Sequence, residues 1–272
     1  MEVSSSTCPT TSPLADQMNH RYISPKSARA LISYGQEFLP TVPAPQLGRW
    51  RECTDGQLWT AVLCQIAVAG GADGGDRLKA NLNDWADEWY SRLLRGGKTR
   101  AASVHAEFVK AGVRFVSKNE PAGRKTLAAL ANFKTLVDAG GPRAFFSEID
   151  QMDEPGRIRY IRTHLRYVKH KGSRDLLIGL GAVESAIALD VRWKNILERV
   201  GVQVPKNFQT SQETYEQLEQ ELLQHVCGPL GATGAHLDRA FFAEENYLKV
   251  VGKEARISKA GFKGSLPCVP GV

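Results

Sequence analysis

Two residues near the middle of the chain have types and positions suited to catalysis. Lys171 opens a largely apolar stretch, GSRDLLIGLGAVESAIAL at 172–189, and Asp190 closes it. A lysine amine is a nucleophile that forms Schiff bases with carbonyl carbons. A carboxylate stabilises positive charge that develops on a reacting carbon. The pair could be half of an active site, although a Lys–Asp pair at one spacing means little alone. A surface lysine at a helix start, beside an ordinary capping aspartate, is the alternative.

Two helices joined by a short link would position Lys171. The first is predicted at about 155–168, the link is KHK at 169–171, and the second runs to about Gly181. The start of the second helix presents backbone N–H groups and the positive end of the helix dipole. Asp190 suits the N-cap of the next predicted helix, VRWKNILERV.

A basic stripe precedes the lysine. Residues 157–174 contain seven Lys or Arg, two His and no acidic residue, within a chain of net charge +6. Apolar residues keep one side of the predicted helix buried, so the cations share the other side. Such a stripe is typical of a surface that binds a phosphate backbone. It is also typical of a solvated helix face, and the sequence leaves both interpretations open.

These features, taken in register, resemble the helix–hairpin–helix DNA glycosylase superfamily. The closest resemblance is to the 8-oxoguanine DNA glycosylase/AP lyases of archaea and bacteria. The likeness covers about 155–200 and rests on Lys171, Gly181 and ALDVR at 188–192, with the basic helix before them. It implies an all-α, two-lobed fold with a helix–hairpin–helix-like element at about 155–181. It also implies that Lys171 is the nucleophile and that Asp190 stabilises charge on the sugar.

The hairpin departs from the family pattern. The family usually has glycine, an apolar residue and glycine before the lysine, whereas this chain has YVKH at 167–170. Other residues do not easily adopt the positive φ that glycine allows. Two alternatives follow: the Lys169 and His170 side chains contact DNA at the hairpin, or the hairpin itself is altered or degenerate. Whether this hairpin holds the monovalent cation that the family's hairpin carbonyls bind is left open. The expected DNA contacts are Arg166, Lys169, His170, Arg174 and Arg192.

Base recognition is assigned to an early helix and two aromatic residues. LWTAVLCQIAVAGGA at 58–72 resembles the family helix that lines the base pocket, which would give Gln65 an amide contact to the base. Trp85 and Trp89 could stack on a flipped base. A hydrogen-bonded core glutamine and two core tryptophans at helical spacing are the alternatives.

The remaining pattern predicts an all-α chain of about ten helices. Residues 1–23 are expected to be a disordered tail, residues 24–260 one catalytic domain of two helical lobes, and residues 261–272 a C-terminal tail. Leu78–Leu94 is predicted as one amphipathic helix, with a break at GGADGG before it. AGVRFVSK at 111–118 is the best strand candidate, and Thr210 with Glu213 predicts a capping box.

Composition excludes several classes of protein. The five cysteines form no close pair, so we expect reduced thiols, no metal site and no iron–sulfur cluster. The N-terminal residues do not resemble a secretory signal, and no stretch suits a membrane span. We therefore expect an intracellular monomer, in the cytoplasm, nucleoid or nucleus, that is not secreted and needs no cofactor.

The resemblance implies one function, and two alternatives stay open. The implied enzyme removes an oxidised purine, foremost 8-oxoguanine, from damaged double-stranded DNA and cleaves the strand through a lysine Schiff base. The first alternative is a non-catalytic helix–hairpin–helix DNA-binding protein. The second is a monofunctional glycosylase for alkylated bases, in which Asp190 activates water and Lys171 is incidental.

Overall fold

The computed structural model describes residues 21–243, which fold into an all-α protein. No residue within this span lies in a β-strand, which confirms the predicted fold class. None of its helices has the length and apolar character needed to cross a membrane. The helices are α1 (Pro25–Phe38), α2 (Asp55–Ala67), α3 (Ala72–Leu82), α4 (Ala86–Arg95), α5 (Arg100–Lys110), α6 (Arg124–Asp138), α7 (Pro142–Ile149), α8 (Glu154–His164), α9 (His170–Gly179), α10 (Val191–Arg199), α11 (Gln212–Leu222) and α12 (Gly228–Leu230). A π turn at Leu223–Cys227 joins α11 to α12, and α13 covers the described residues 234–243.

Side-chain caps fix where the helices begin. Ser24 accepts the N–H of Ser27 at the start of α1, as the sequence predicts. Thr54 and Gln57 form a reciprocal capping box at α2, which therefore starts two residues before the predicted Gln57. The predicted box at Thr210 is wrong by one residue, because Ser211 is the N-cap of α11 and accepts from Thr214 N.

The predicted single helix at Leu78–Leu94 is two helices. The chain turns at Asn83–Trp85, between α3 and α4. The helix α3 also starts inside GGADGG, at Ala72, and two of the glycines that it contains lie close to neighbouring residues. A Cβ at Gly74 would lie 3.0 Å from Val113 Cα, and one at Gly75 would lie 2.3 Å from Val68 Cγ1.

Three smaller expectations also change. AGVRFVSK is a turn, in which Phe115 has a φ of 60°. Ile23, which falls in the expected N-terminal tail, is fully buried, and its N–H donates to Glu221 Oε2 at 2.8 Å. The expected tail at 1–20, the end of the last predicted helix and the expected tail at 261–272 lie outside the described residues.

The buried apolar residues form two clusters. The first core cluster is built from α2 to α9 and includes Trp59, Phe133 and Leu177. The second core cluster is built from α1, α10, α11 and α13 and includes Leu31 and Trp193. Lys171 lies on the last helix of the first cluster, and Asp190 immediately precedes α10 of the second. The two clusters agree with the two expected lobes, whose domain bounds stay a prediction.

An extended segment at 182–190 joins the two clusters. Ala186 and Ala188 pack in the first cluster, whereas Ile187 and Leu189 pack in the second. This alternation is the two-residue period of extended chain. Because the segment is not helical, its buried N–H and C=O groups need partners from other elements.

Gly181 lets another part of the chain cross close to the end of α9. Its φ is +65°, and a Cβ there would lie 2.0 Å from Gln46 O. Gly48 N donates to Gly181 O at 2.8 Å, and Trp50 N donates to Leu180 O at 2.8 Å. Only glycine therefore fits at this crossing.

Candidate active site

Lys171 lies in the first turn of α9. The helix begins at His170, and Lys169 precedes it in an extended conformation. Lys171 Nζ donates to Asp175 Oδ2 at 2.5 Å, one turn further along the same helix. The lysine side chain is 26% exposed, so its amine is at the edge of the protein and within reach of a ligand.

Gln65 reaches the same carboxylate from α2. Gln65 Nε2 donates to Asp175 Oδ2 at 3.2 Å. This bond fixes the amide orientation and turns Oε1 away, where Oε1 is buried without a hydrogen-bond partner. Gly172 lies against that oxygen, since a Cβ there would be in van der Waals contact with it at 3.6 Å. The structure therefore brings Gln65 and Lys171 together through Asp175.

Asp190 is the N-cap of α10. Its Oδ1 accepts from Arg192 N at 2.9 Å and from Trp193 N at 3.3 Å. Its Oδ2 accepts from Arg192 Nε at 2.7 Å, and the guanidinium stacks over the Phe242 ring at 4.0 Å. Arg192 thus neutralises Asp190, and its role as a DNA contact stays a prediction.

Asp238 on α13 is a titratable residue that contacts α10 and the extended segment before it. It accepts from Trp193 Nε1 at 2.6 Å and from Ala188 N at 3.2 Å. Burial, with added repulsion from Asp175 and Asp190, raises the pKa of Asp238 from 3.8 to about 7, although Lys171 opposes the shift. The carboxylates of both halves of the site therefore lie within electrostatic reach of Asp238.

Two of the expected DNA contacts are turned inward. Arg174 is 2% exposed, and its Nε donates to both oxygens of Glu219, at 2.7 and 2.8 Å. The prediction of a DNA contact at Arg174 is wrong, because a buried guanidinium needs a buried acid as its partner. His170 is half-buried, accepts from Arg162 Nη1 at 2.9 Å and stacks on Tyr215. Burial, then Arg162 and Arg174, lowers the pKa of His170, which therefore adds no cation beside Lys171.

The hairpin keeps a tight turn without glycines. Tyr167 has a φ of +66° and is 41% exposed, and Val168 is buried beneath it. Asn132 fixes the turn, because it accepts from Arg166 N at 2.6 Å and donates to Arg166 O at 3.0 Å. The hairpin is thus altered in that a tyrosine, and not a glycine, occupies the left-handed region of φ. Arg166 and Lys169 are exposed on either side of it.

The two candidate stacking tryptophans pack in the first core cluster. Trp89 is 3% exposed and stacks on Trp59, so the prediction of base stacking there is wrong. Trp85 is half-buried against the same cluster, and its Nε1 donates to Asn81 O at 2.6 Å. Both tryptophans therefore pack in or against the core, which is the alternative that the sequence left open.

Sequence reasoning missed Asp175, Glu219, Tyr215 and Asp238. Asp175 could have been found, since a carboxylate four residues after a lysine on one helix face is a recurrent pair. The other three contact the site from helices far along the chain, and no local pattern indicates them. Within residues 21–243, no group of three or more His, Cys, Asp or Glu side chains could hold a metal ion.

The architecture has relatives among solved structures. No protein-family model matches the chain, and no curated protein does. The crystal structure of Tm1821, the 8-oxoguanine DNA glycosylase of Thermotoga maritima, is 15% identical with a TM-score of 0.56, covering 80% of this chain and 93% of that one. The 8-oxoguanine DNA glycosylase of Methanocaldococcus jannaschii is 11% identical with a TM-score of 0.58, covering 80% and 92%. A second structure from M. jannaschii, an 8-oxoguanine glycosylase/lyase bound to 15mer DNA containing 8-oxoguanine, is 12% identical with a TM-score of 0.52, covering 78% and 87%. The chain described here therefore has the all-α fold of these 8-oxoguanine DNA glycosylases.

Proposed function

We propose that this protein is a DNA glycosylase with AP lyase activity, which removes an oxidised purine by means of Lys171 and Asp190. The observation that carries the proposal is the position of the two residues. Lys171 lies in the first turn of α9 and Asp190 caps α10, so the rest of α9 and the extended segment at 182–190 separate the two residues along the chain. The likeness of the fold to 8-oxoguanine glycosylases supports the same conclusion.

The chemistry begins with a neutral amine. The Lys171 ammonium gives one proton to Asp175, whose oxygen lies 2.5 Å from Nζ. The amine then bonds to C1′ of a nucleotide flipped out of the duplex. The bond from C1′ to the base breaks, and its electron pair leaves with the base. Asp190 stabilises the positive charge that builds on the sugar ring.

The Schiff base forms by proton transfers that balance. The new C1′-bound ammonium loses a proton to the departing base, which leaves neutral. Asp175 returns its proton to the ring oxygen as the C1′–O4′ bond breaks. The product is a protonated imine between Lys171 and C1′, from which the 3′ phosphate can leave by β-elimination.

Gln65 supplies a reason for a preference for 8-oxoguanine. Its Oε1 is an acceptor without a partner beside the lysine. In 8-oxoguanine N7 carries a hydrogen, whereas N7 of guanine is an acceptor. An acceptor held in this orientation favours the oxidised base, because the normal base would leave it unpaired.

The exposed cations beside the hairpin would bind the duplex. Arg166 and Lys169 flank the turn that leads into α9 and are exposed. Binding through them releases counterions, so DNA affinity should fall steeply as salt rises. Salt-independent affinity would favour the interpretation that the stripe is a solvated helix face.

A borohydride trap tests the nucleophile. The protein is incubated with a duplex that contains 8-oxoguanine, borohydride is added, and the covalent protein–DNA adduct is quantified. The wild type should form the adduct, and Lys171→Gln should form none. Lys194→Gln is the matched control, since Lys194 also pairs with an acid four residues later, Glu198 at 3.5 Å, and should trap as the wild type does. Equal trapping by wild type and Lys171→Gln would remove Lys171 from the mechanism.

A second variant tests Asp190. Asparagine also caps helices, so Asp190→Asn should keep the fold but lower the single-turnover rate of base release by about 100-fold, through lost charge stabilisation. Asp153→Asn makes the same change at the N-cap of α8, where Asp153 Oδ1 accepts from Gly156 N at 2.8 Å, and should leave the rate unchanged. Full activity of Asp190→Asn would contradict its assigned role.

A non-catalytic DNA-binding protein is the second candidate. Both proposed catalytic groups are already paired, Lys171 with Asp175 and Asp190 with Arg192. A protein that binds damaged or undamaged duplex equally and forms no adduct would have this second function.

A further inference from the structure

The buried face of α11 contacts both halves of the proposed site. Tyr215 and Glu219 lie one turn apart on this helix and are 0% and 7% exposed. One side of the pair faces the start of α9, and the other faces the extended segment before Asp190. We name this set, Arg174 with Tyr215 and Glu219, the α11 bracket.

The α11 bracket fixes the start of α9. Glu219 binds Arg174 in a forked pair, with Nη2 to Oε2 at 2.5 Å in addition to the Nε bonds. Arg174 Nη1 donates to His170 O at 3.2 Å, in the turn that carries Lys171. The Tyr215 ring lies beneath both groups, with its centroid 4.4 Å from the Arg174 guanidinium carbon and 5.7 Å from the His170 ring centroid.

The same two residues hold the backbone that leads to Asp190. Glu219 Oε1 accepts from Ile187 N at 2.9 Å. The Tyr215 hydroxyl accepts from Leu189 N at 2.7 Å and donates to Ile187 O at 3.0 Å. Three hydrogen bonds from one helix therefore fix the last residues before Asp190, where the segment has no helical bonds of its own.

Stability alone does not require this arrangement. A buried ion pair loses much of its attraction to the cost of removing both charges from water, and apolar residues of similar size often serve as well. What apolar residues cannot supply is a directional link between two backbones. Displacement of a reacting group by about 1 Å can cost about 100-fold in rate, so such a link has value at a site made from two elements.

We propose that Tyr215 and Glu219 are positioning residues that fix the separation between Lys171 and Asp190. The inference rests on the function proposed above. It predicts that loss of the bracket slows the chemical step and leaves DNA binding intact, because neither residue is exposed to a ligand.

Tyr215→Phe tests the proposal by the loss of one oxygen. Single-turnover base release should slow by about 100-fold per folded molecule, while the Kd for uncleavable duplex should stay within about twofold of wild type. Tyr90→Phe is the matched control, since Tyr90 is a buried tyrosine of the first core cluster, and should keep the wild-type rate. Glu219→Gln is the second variant if Tyr215→Phe does not fold, and the same slower rate at unchanged Kd is expected.

Two results would overturn the proposal. One is a wild-type rate in folded Tyr215→Phe or, where that variant does not fold, in Glu219→Gln. The other is a rate loss that equals the loss of folded protein or of DNA affinity, which a purely structural role would give. Amide hydrogen exchange at Leu189, whose N–H donates to the Tyr215 hydroxyl, separates this proposal from the proposed function. Exchange at Leu189 should accelerate in Tyr215→Phe even if no form of the protein releases a base, and unchanged exchange there would refute the bracket.

Discussion

The two core clusters hold their halves of the site in different ways. The first, which carries Lys171, is closed by packed rings such as Trp59, Trp89 and Phe133. The second, which carries Asp190, is crossed by buried acids, among them Glu219 and Glu221. Packed rings stabilise a core through many contacts that have little directionality, whereas hydrogen-bonded acids fix backbone positions. The comparison indicates that the geometry of the site is set mainly from the second cluster.

The largest effect should come from breaking the link between the clusters. Arg174→Met leaves the Glu219 carboxylate buried without its partner, and the free energy of unfolding should fall by about 3–5 kcal/mol in urea titrations. Lys134→Met breaks an exposed pair, Lys134 with Asp138 at 2.6 Å, and should change it by less than about 0.5 kcal/mol. Equal effects of the two variants would erase the distinction between the clusters.

The pH dependence of stability should distinguish the clusters next. Because the native pKa of Asp238 is raised from 3.8 to about 7, the native state binds this proton more tightly than the unfolded chain does. Its contribution is complete below about pH 4 and is lost as the pH rises to 7. Asp238→Asn keeps an oxygen for Trp193 and Ala188. In the wild type, the free energy of unfolding from urea titrations should fall by on the order of 2 kcal/mol between pH 4 and 7. This fall should be absent in Asp238→Asn.

The first cluster should respond in a different range. Burial lowers the pKa of Lys125 from 10.5 to about 8, so its contribution to stability is present above the unfolded value and is lost as the pH falls through 8.

The control for the Asp238 prediction is Asp84→Asn, at an exposed aspartate beside the first cluster. It should leave the stability profile between pH 4 and 7 unchanged within about 0.5 kcal/mol. A flat wild-type profile in that range would contradict the assignment to Asp238.

The smallest effect concerns the hairpin. Tyr167 has a φ of +66°, which glycine adopts without strain. Tyr167→Gly should therefore be more stable than Tyr167→Ala by about 1 kcal/mol, measured by thermal or urea unfolding. At Arg159, an exposed residue in the interior of α8, the order of the same two variants should reverse. Alanine as the better residue at both positions would show that the turn does not need a left-handed residue.

The sequence was most informative where signals are local. N-caps and apolar periodicity predicted α1, α10 and the placement of Lys171 and Asp190 at helix starts. The break between α3 and α4 was not predicted, since the amphipathic pattern continues through it. The break ends at Trp85, which packs against the first core cluster and whose Nε1 donates to Asn81 O, a contact that the amphipathic pattern does not record.

The charged residues that surround the site could not be predicted from local sequence patterns. Arg174 has the same local pattern as an exposed basic residue, and only Glu219, far along the chain, makes it a buried one. The same holds for Asp238, whose raised pKa comes from burial by elements distant in sequence. Burial and pairing of charge are properties of the assembled fold, and periodicity reports only which face is apolar.

The helix α1 has a consequence for how the protein is made. Of the helices described, α1 leaves the ribosome first, whereas its core partners lie on α10, α11 and α13, which are the last of these to leave. The helices of the first core cluster lie between them and can pack during synthesis. Leu31 and Ile23 must therefore wait, without their partners, until most of the chain has been translated. Because Asp190 and the α11 bracket arrive in the same late stage, we expect no truncated nascent chain to hold a complete site.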